Sequence, residues 1–272
     1  MSRLRIQAGQ SNQQYWRDLW LYRELFVFLA WRDFLVRYKQ TVVGVAWSLL
    51  KPLLTMLVLT VVFGSLGKLP SGGIPYPLLV FSGLLPWQFF ANALSESGSS
   101  LVNNSNLISK VYFPRLIIPI SSILTSLVDF AISSLFLTLL FLYYQILPPP
   151  QIAFLPAFIL LALTTSLGLG IWISALMVEF RDFRNIVPFI VQFGLYLSPV
   201  AFQSSLVPPQ WRLLYSLNPI VGVIDGFRFC LLSASPPLFW PGLALSTFTS
   251  LALLFSGVAY FRKTERSFAD LI

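Results

Sequence analysis

Three stretches of this chain, residues 130–178, 185–211 and 229–261, contain no charged residue. Each is long enough to hold the run of about 20 apolar residues that a helix needs to cross hydrocarbon. Lipid offers the backbone no hydrogen-bond partner, so a crossing segment must be a helix or part of a closed barrel. The runs are continuously apolar rather than alternating, which selects helices. Only 10% of the 272 residues are charged, against about 25% in a soluble domain. The chain therefore reads as an all-α integral membrane protein.

Six crossings are predicted, over residues 42–66, 76–94, 116–144, 154–177, 186–202 and 238–260. Ser71, Gly72, Gly73 and Pro75 turn the chain after the first crossing, and Pro148, Pro149 and Pro150 break it after the third. Residues 95–110 are rich in Ser and Asn and predict an aqueous loop with a short helix. Between the fifth and sixth crossings, residues 203–235 hold two apolar pieces, 211–217 and 220–232, hinged at Asn218-Pro219. Neither can span, so both are expected to be re-entrant or interfacial.

Ahead of the first crossing, Gln10, Gln13, Gln14, Arg17 and Glu24 share one helical stripe, and Tyr15, Leu19, Tyr22 and Phe26 the opposite one. This predicts an amphipathic helix, either in the membrane interface or packed on another protein surface. Trp16, Trp20 and Trp31 favour the interface, where amphipathic rings gather. The segment 1–41 is thus set apart from the membrane domain 42–272. Residues 1–14 are polar and lack the apolar core of a cleavable signal peptide, so the first crossing is expected to act as the targeting signal.

The net charge of +8 gains meaning from its location. With a cytoplasmic N-terminus, Arg3, Arg5, Arg17, Arg23, Arg32, Arg37, Lys39, Lys110, Arg115, Arg181, Arg184, Arg262, Lys263 and Arg266 all lie inside. Only Lys68, Arg212 and Arg228 lie outside, with Lys51 in the membrane. That bias predicts both termini in the cytoplasm.

The chemistry the chain lacks is equally informative. There is no histidine, hence no Ser-His-Asp or Cys-His arrangement, and the single cysteine, Cys230, excludes an internal disulfide. No Gly-x-x-x-x-Gly-Lys-Ser/Thr loop exists to cradle nucleotide phosphates. The acidic residues are scattered, which speaks against a membrane glycosyl transferase. Asp129 is the one acid deep in a crossing. It is either a proton or substrate contact, or a structural bond to a neighbouring helix. Lys51-Pro52 inside the first crossing is unusual; its ammonium would snorkel or face a protein-lined cavity. Trp87, Phe89 and Phe90 follow Pro86, near the expected outer end of the second crossing. They are either belt and packing residues or rings lining a path for sugars.

Five stretches together resemble one family, the membrane subunits of ABC-2 type exporters for polysaccharides and polyol phosphates. They are Trp31-Arg-Asp-Phe-Leu-Val-Arg-Tyr-Lys-Gln-Thr-Val-Val-Gly44 with Trp47 and Pro52, and Leu107-Ile-Ser-Lys-Val-Tyr-Phe-Pro-Arg115 with Pro119. The third is Phe180-Arg-Asp-Phe-Arg-Asn185 with Ser198-Pro-Val200, and the fourth Leu217-Asn-Pro219 with Gly226-Phe-Arg228. The last is Tyr260-Phe-Arg-Lys-Thr-Glu-Arg-Ser-Phe-Ala-Asp-Leu-Ile272. Lys51 departs from the pattern, where a residue such as Gln is expected.

The resemblance implies a homodimeric half-transporter in a bacterial inner membrane, with two copies of a separate ATPase below it. The chain itself would bind no cofactor; ATP and Mg would belong to that partner. The substrate would be a lipid-linked glycan such as O-antigen, a capsule polymer or teichoic acid; nucleic acid is not expected. By similarity, Asn104, Leu107, Lys110, Phe113 and Arg115 in the loop 95–115 form the segment that couples to the ATPase. Arg32, Asp33 and Arg37 form the cytoplasmic entrance, where they would meet anionic head groups or pyrophosphate. Glu179, Arg181 and Asp182 are expected to make ion pairs at a cytoplasmic turn. Asp225 and Arg228 fall in the outer gate, where a salt bridge between them or their neighbours is expected. The competing readings are a permease for lipids or drugs and an ion-coupled carrier in which Asp129 titrates.

Overall fold

The computed structural model describes residues 12–39, 42–233 and 236–268, without the side chains of 12–14 and 42–48. Arg3, Arg5, the Trp47 ring and the last residues of the C-terminal motif lie outside that description. Among the described residues every regular element is helical. Two helices precede the first crossing, α1 (Asn12–Leu21) and α2 (Arg23–Tyr38). The first crossing, α3 (Val42–Leu59), runs into a π-helical turn over Thr60–Leu66. After a turn in which Gly72 and Gly73 take left-handed φ values of 66° and 83° come α4 (Tyr76–Asn103), α5 (Ser105–Lys110) and α6 (Ile117–Tyr144). Then follow α7 (Leu155–Glu179), α8 (Phe183–Leu197), α9 (Pro209–Tyr215), α10 (Pro219–Leu231) and α11 (Trp240–Thr264). Prolines open α4, α7, α9, α10 and α11, where the missing N–H is unneeded and the fixed φ suits a helix start.

Five of these helical stretches are long and apolar enough to cross a membrane: Leu49–Leu66, Tyr76–Asn103, Ile117–Tyr144, Pro150–Glu179 and Trp240–Ser267. Their outward faces are apolar, with Leu54 and Val58 on α3, Val61 in the π-helical turn after it, Leu135, Leu139 and Leu142 on α6, and Phe248 and Phe255 on α11 all exposed. So much exposed hydrocarbon surface marks a face that meets lipid or protein, not water. The end holding α5 with Tyr15 and Phe268 is called the inner end below, after the cytoplasmic side expected from the sequence.

The fifth expected crossing differs from its prediction. Helix α8 has 15 residues, or roughly 22 Å at 1.5 Å per residue, and stops at Leu197. Pro199 lacks an N–H, and Ser198 is already extended, with ψ 154°. Residues 198–203 continue as irregular backbone.

The loop expected at 95–110 is also corrected. Helix α4 continues without a break through Asn103. Ser95, Ser99 and Ser100 donate their hydroxyls to carbonyls three or four residues back, so they need no water. Ser97, Gly98 and Ser100 are buried, with the Ile173 and Met177 side chains of α7 lying where a Gly98 Cβ would go. What composition marks as a loop is a polar helix packed within protein.

The amphipathic segment is likewise two helices, meeting at Tyr22. Its stripe of Tyr15, Leu19, Tyr22 and Phe26 packs on the chain's own inner end, in a cluster with Phe113, Ile117, Phe261 and Phe268. The stripe thus covers protein, while Trp16, Trp20, Val27, Phe28 and Trp31 face outward and carry the apolar surface suited to a membrane interface.

Helix α4 is the centre of the bundle, buried along most of its length between α6 and α7, with α10 across its outer half. Helices α7 and α11 touch through small residues. A Cβ on Gly168 would lie 2.7 Å from the Leu254 backbone nitrogen, and Thr165 Oγ1 and Ser250 Oγ are 2.8 Å apart. Such small-residue seams let two backbones approach in lipid, where no hydrophobic force draws them together. Gly168→Val is expected to force the seam open and cost about 1–3 kcal/mol, read as a lowered thermal midpoint in detergent. Leu160→Ala on the exposed face of α7 should leave the midpoint nearly unchanged.

Candidate functional site

Helix α2 sets a line of charge against the inner ends of α4 and α6. Arg37 donates from Nη2 to Glu96 Oε1 at 2.6 Å and from Nη1 to Asp129 Oδ2 at 2.8 Å. The Tyr38 hydroxyl donates to the other Asp129 oxygen. Burial and that carboxylate push the Tyr38 phenol well above its ordinary pKa. Of the two roles open to Asp129, the structure displays the bond to a neighbouring helix. One turn earlier Arg32 donates to Asp33 Oδ1 and, at 2.8 Å, to Asn104 Oδ1. Of the residues expected at the entrance, Arg32 and Asp33 pair with each other, Arg32 also holds Asn104 just after α4, and Arg37 joins α4 and α6.

Arg37 stands between two cavities. One of about 500 Å³ opens at the inner end and is lined by Arg32, Asp33, Glu96, Asn103 and Asn104. The other, about 470 Å³, lies between α3, α4, α6 and α8. Its polar lining includes Lys51, Thr55, Gln88, Asn92, Ser133 and Gln192, and its apolar lining includes Trp87, Phe89 and Phe130. The three amides were missed in the sequence. Their signal was present: Gln88 and Asn92 are four apart in an otherwise apolar crossing, and so share a face.

The aromatic trio needs correction. The outer end of α4 is Tyr76, and Trp87, Phe89 and Phe90 lie well down the helix from it, near the middle of Tyr76–Asn103. All three are buried. Trp87 packs on Phe90 and against Gly194 of α8, and Phe89 meets the Phe130 ring edge-on at 5.6 Å. They are packing residues first; Trp87 and Phe89 only border the cavity, and Phe90 does not line it.

At the outer end, Asn218 caps α10 by accepting from the Ile220 N–H, which explains the hinge at Asn218-Pro219. The expected salt bridge between Asp225 and Arg228 does not form within 4.0 Å among the described residues. Arg228 is only 2% exposed, and its guanidinium donates to backbone carbonyls. Nη1 reaches Phe202 O at 2.6 Å, and Nη2 reaches Val200 O at 2.8 Å and Leu79 O at 3.2 Å. The irregular run after α8 leaves carbonyls with no helical partner at membrane depth, and a planar fork of donors satisfies them better than one carboxylate would use it. Gly83 makes room, since a Cβ there would lie 2.9 Å from Nη2. Asp225 instead borders an outer cavity of about 300 Å³ with Ser204, Tyr215 and Phe239.

The expected coupling residues divide. Phe113 is buried, and Arg115 donates to the Glu265 carbonyl. Asn104 is held by Arg32, while Leu107 is half-buried against the inner cluster. Lys110 remains exposed, next to exposed Val111 and Tyr112. Beside them Tyr15 donates to Glu265 Oε2 at 2.9 Å, with the Arg262 guanidinium 4.4 Å over its ring. Burial and Glu265 raise the Tyr15 phenol pKa. The turn expected to hold ion pairs holds none among the described residues: Glu179, Arg181 and Asp182 are exposed, and Glu179 accepts from Tyr260 at 2.5 Å.

The model of the ABC-2 type transporter family matches residues 24–232, from α2 to the end of α10. The chain is 29% identical over 259 residues to the O-antigen export system permease protein RfbA of Myxococcus xanthus, covering 94% of this chain and 98% of that protein. It is 26% identical over 251 residues to an RfbA of Klebsiella pneumoniae, covering 92% and 95%. With the polysialic acid transport protein KpsM of Escherichia coli it shares 23% over 252 residues, covering 87% and 92%.

Proposed function

The chain belongs to the ABC-2 type transporter family, and we propose that within it this protein is the membrane subunit of an ATP-driven exporter of lipid-linked polysaccharide. The observation that carries the reading is near end-to-end similarity to permeases named for O-antigen export. The cavity lined by Gln88, Asn92, Gln192 and the edges of Trp87 and Phe89 supports it. Amides and ring edges are the groups that meet sugar hydroxyls and the apolar faces of sugar rings.

In this reading two copies of the chain sit in the bacterial inner membrane, each crossing six times with both termini in the cytoplasm. The exposed apolar faces of α3 and α8 suit contact with lipid or a second copy. Two copies of a soluble ATPase, carrying ATP and Mg, dock at the inner end on the projecting Lys110, Val111 and Tyr112. Arg32, Asp33 and Arg37 form the entrance, with the α2–α4–α6 ion pairs as its fixed wall. Asp225 and Arg228 belong to the outer gate, Arg228 as the residue that holds its backbone.

Affinity purification of the tagged chain from its native membrane is expected to bring with it a soluble subunit bearing a Walker A loop. Deletion of the gene should leave lipid-linked glycan inside the cell. A transport-active preparation free of any ATPase, or normal surface glycan in the deletion strain, would sink the proposal.

A further inference from the structure

Lys51 is a cation with no carboxylate partner among the described residues. It lies in the third position of the apolar stretch Leu49–Leu66 and lines the 470 Å³ cavity. No described carboxylate comes within 4.0 Å of its ammonium. The one acid lining the same cavity, Asp129, already accepts from Arg37 and Tyr38. Arg37 and Tyr38 also line the cavity and are turned onto Asp129; the remaining polar groups are neutral, Gln88, Asn92 and Gln192 with the hydroxyls of Thr55, Ser95 and Ser133. A lysine in a crossing is costly unless it pairs, snorkels or serves a passing ligand. Here it adds a single uncompensated positive charge to walls otherwise suited to hydroxyl groups.

We infer that Lys51 makes this cavity select for an anionic group on the exported molecule. This rests on the glycan-export reading and narrows its substrate class. The anion has two sources in a lipid-linked glycan: a carboxylate or phosphate on the sugar repeat, or the diphosphate joining glycan to lipid. Neutral sugars would be held by the amides alone. Lys51 is exposed to the open cavity, and an anion entering would exchange part of its hydration for the ammonium and the surrounding amide N–H groups, beside protein walls where a charge pair counts for more than in bulk water.

The test uses the complex of this chain with its ATPase in lipid nanodiscs, reading stimulation of ATP hydrolysis. The probes are a polyprenyl diphosphate, the same carrier with a neutral oligosaccharide, and the same carrier with an oligosaccharide bearing uronic acids. Lys51→Gln is expected to raise the half-stimulating concentration about tenfold, near the effect of one ion pair, with the maximal rate kept. Lys51→Arg should retain most of the wild-type response. A shift confined to the uronic acid probe assigns the anion to the sugar repeat; an equal shift on all three assigns it to the diphosphate. An unshifted Lys51→Gln complex beside a stimulated wild type would overturn the inference alone. So would a loss of maximal rate in both variants without any shift, which marks a structural lysine. A wild-type complex stimulated by none of the probes would overturn the export reading, and the inference with it.

Discussion

Arg228→Met is expected to be the most damaging single substitution in the outer half of the protein, lowering the thermal midpoint in detergent by on the order of 10 °C. The reasoning starts from what the guanidinium does. It supplies hydrogen bonds to the carbonyls of Leu79, Val200 and Phe202 from a position 2% exposed. Methionine fills much of the volume but donates nothing. Leu79 O keeps the Ser82 hydroxyl, but the Val200 and Phe202 carbonyls lose the guanidinium, and a carbonyl left without a partner away from water costs about 1–3 kcal/mol. The irregular run 198–203 has no ladder of its own to fall back on. Arg228→Lys should recover only part of the loss, because an ammonium cannot reach carbonyls on two sides as a planar fork does. Cysteines placed at Ser204 or Ser205, which are partly exposed beside this run, should react faster with a membrane-impermeant thiol reagent in the Met variant. Equal midpoints for wild type and Arg228→Met would show that the carbonyls find other donors.

Arg228 also shows why parts of this molecule were legible in the sequence and others were not. Long apolar runs betray crossings because hydrocarbon forces one solution on the backbone. Residues 116–144 and 154–177 were therefore bounded to within a few residues of α6 and α7. The polar run after Leu94 carried no such constraint. Ser and Asn suit a loop in water, yet here serine hydroxyls bond to their own helix and the small side chains let α7 approach. Arg228 invited a carboxylate partner because side chains are what a sequence displays; its nearer partners, the Val200 and Phe202 carbonyls, are main-chain oxygens in the irregular run after α8. Trp87, Phe89 and Phe90 were placed near the outer end of α4, but that end is Tyr76 and the trio lies near the middle of the helix, where ring packing occupies it. Asp129 lies 92 positions from Arg37, and only packing of α2 across α6 could reveal that pair. Lys51, by contrast, stood out from the start as a charge in an apolar run, and the cavity gives it a setting.

The Arg37 pairing leads to the second large effect. Arg37→Met should cost about 2–4 kcal/mol, below the full price of a buried pair because Arg37 and Glu96 are partly exposed and screened. Their side chains are 30% and 44% exposed, while Asp129 is at 11%. The loss falls mainly on Asp129, left as a shielded carboxylate with the Tyr38 hydroxyl as its remaining described donor. Asp129→Asn removes that charge. The double variant Arg37→Met with Asp129→Asn is therefore expected to be more stable than Arg37→Met alone, and the recovered difference measures their coupling. Thermal midpoints of the four proteins complete the cycle. Additive losses would show that Arg37 and Asp129 act independently. Coupling, together with export retained in Asp129→Asn, would fix the carboxylate as a clasp between α2 and α6. An ion-coupled carrier predicts the opposite for that single variant: transport lost while the fold is intact.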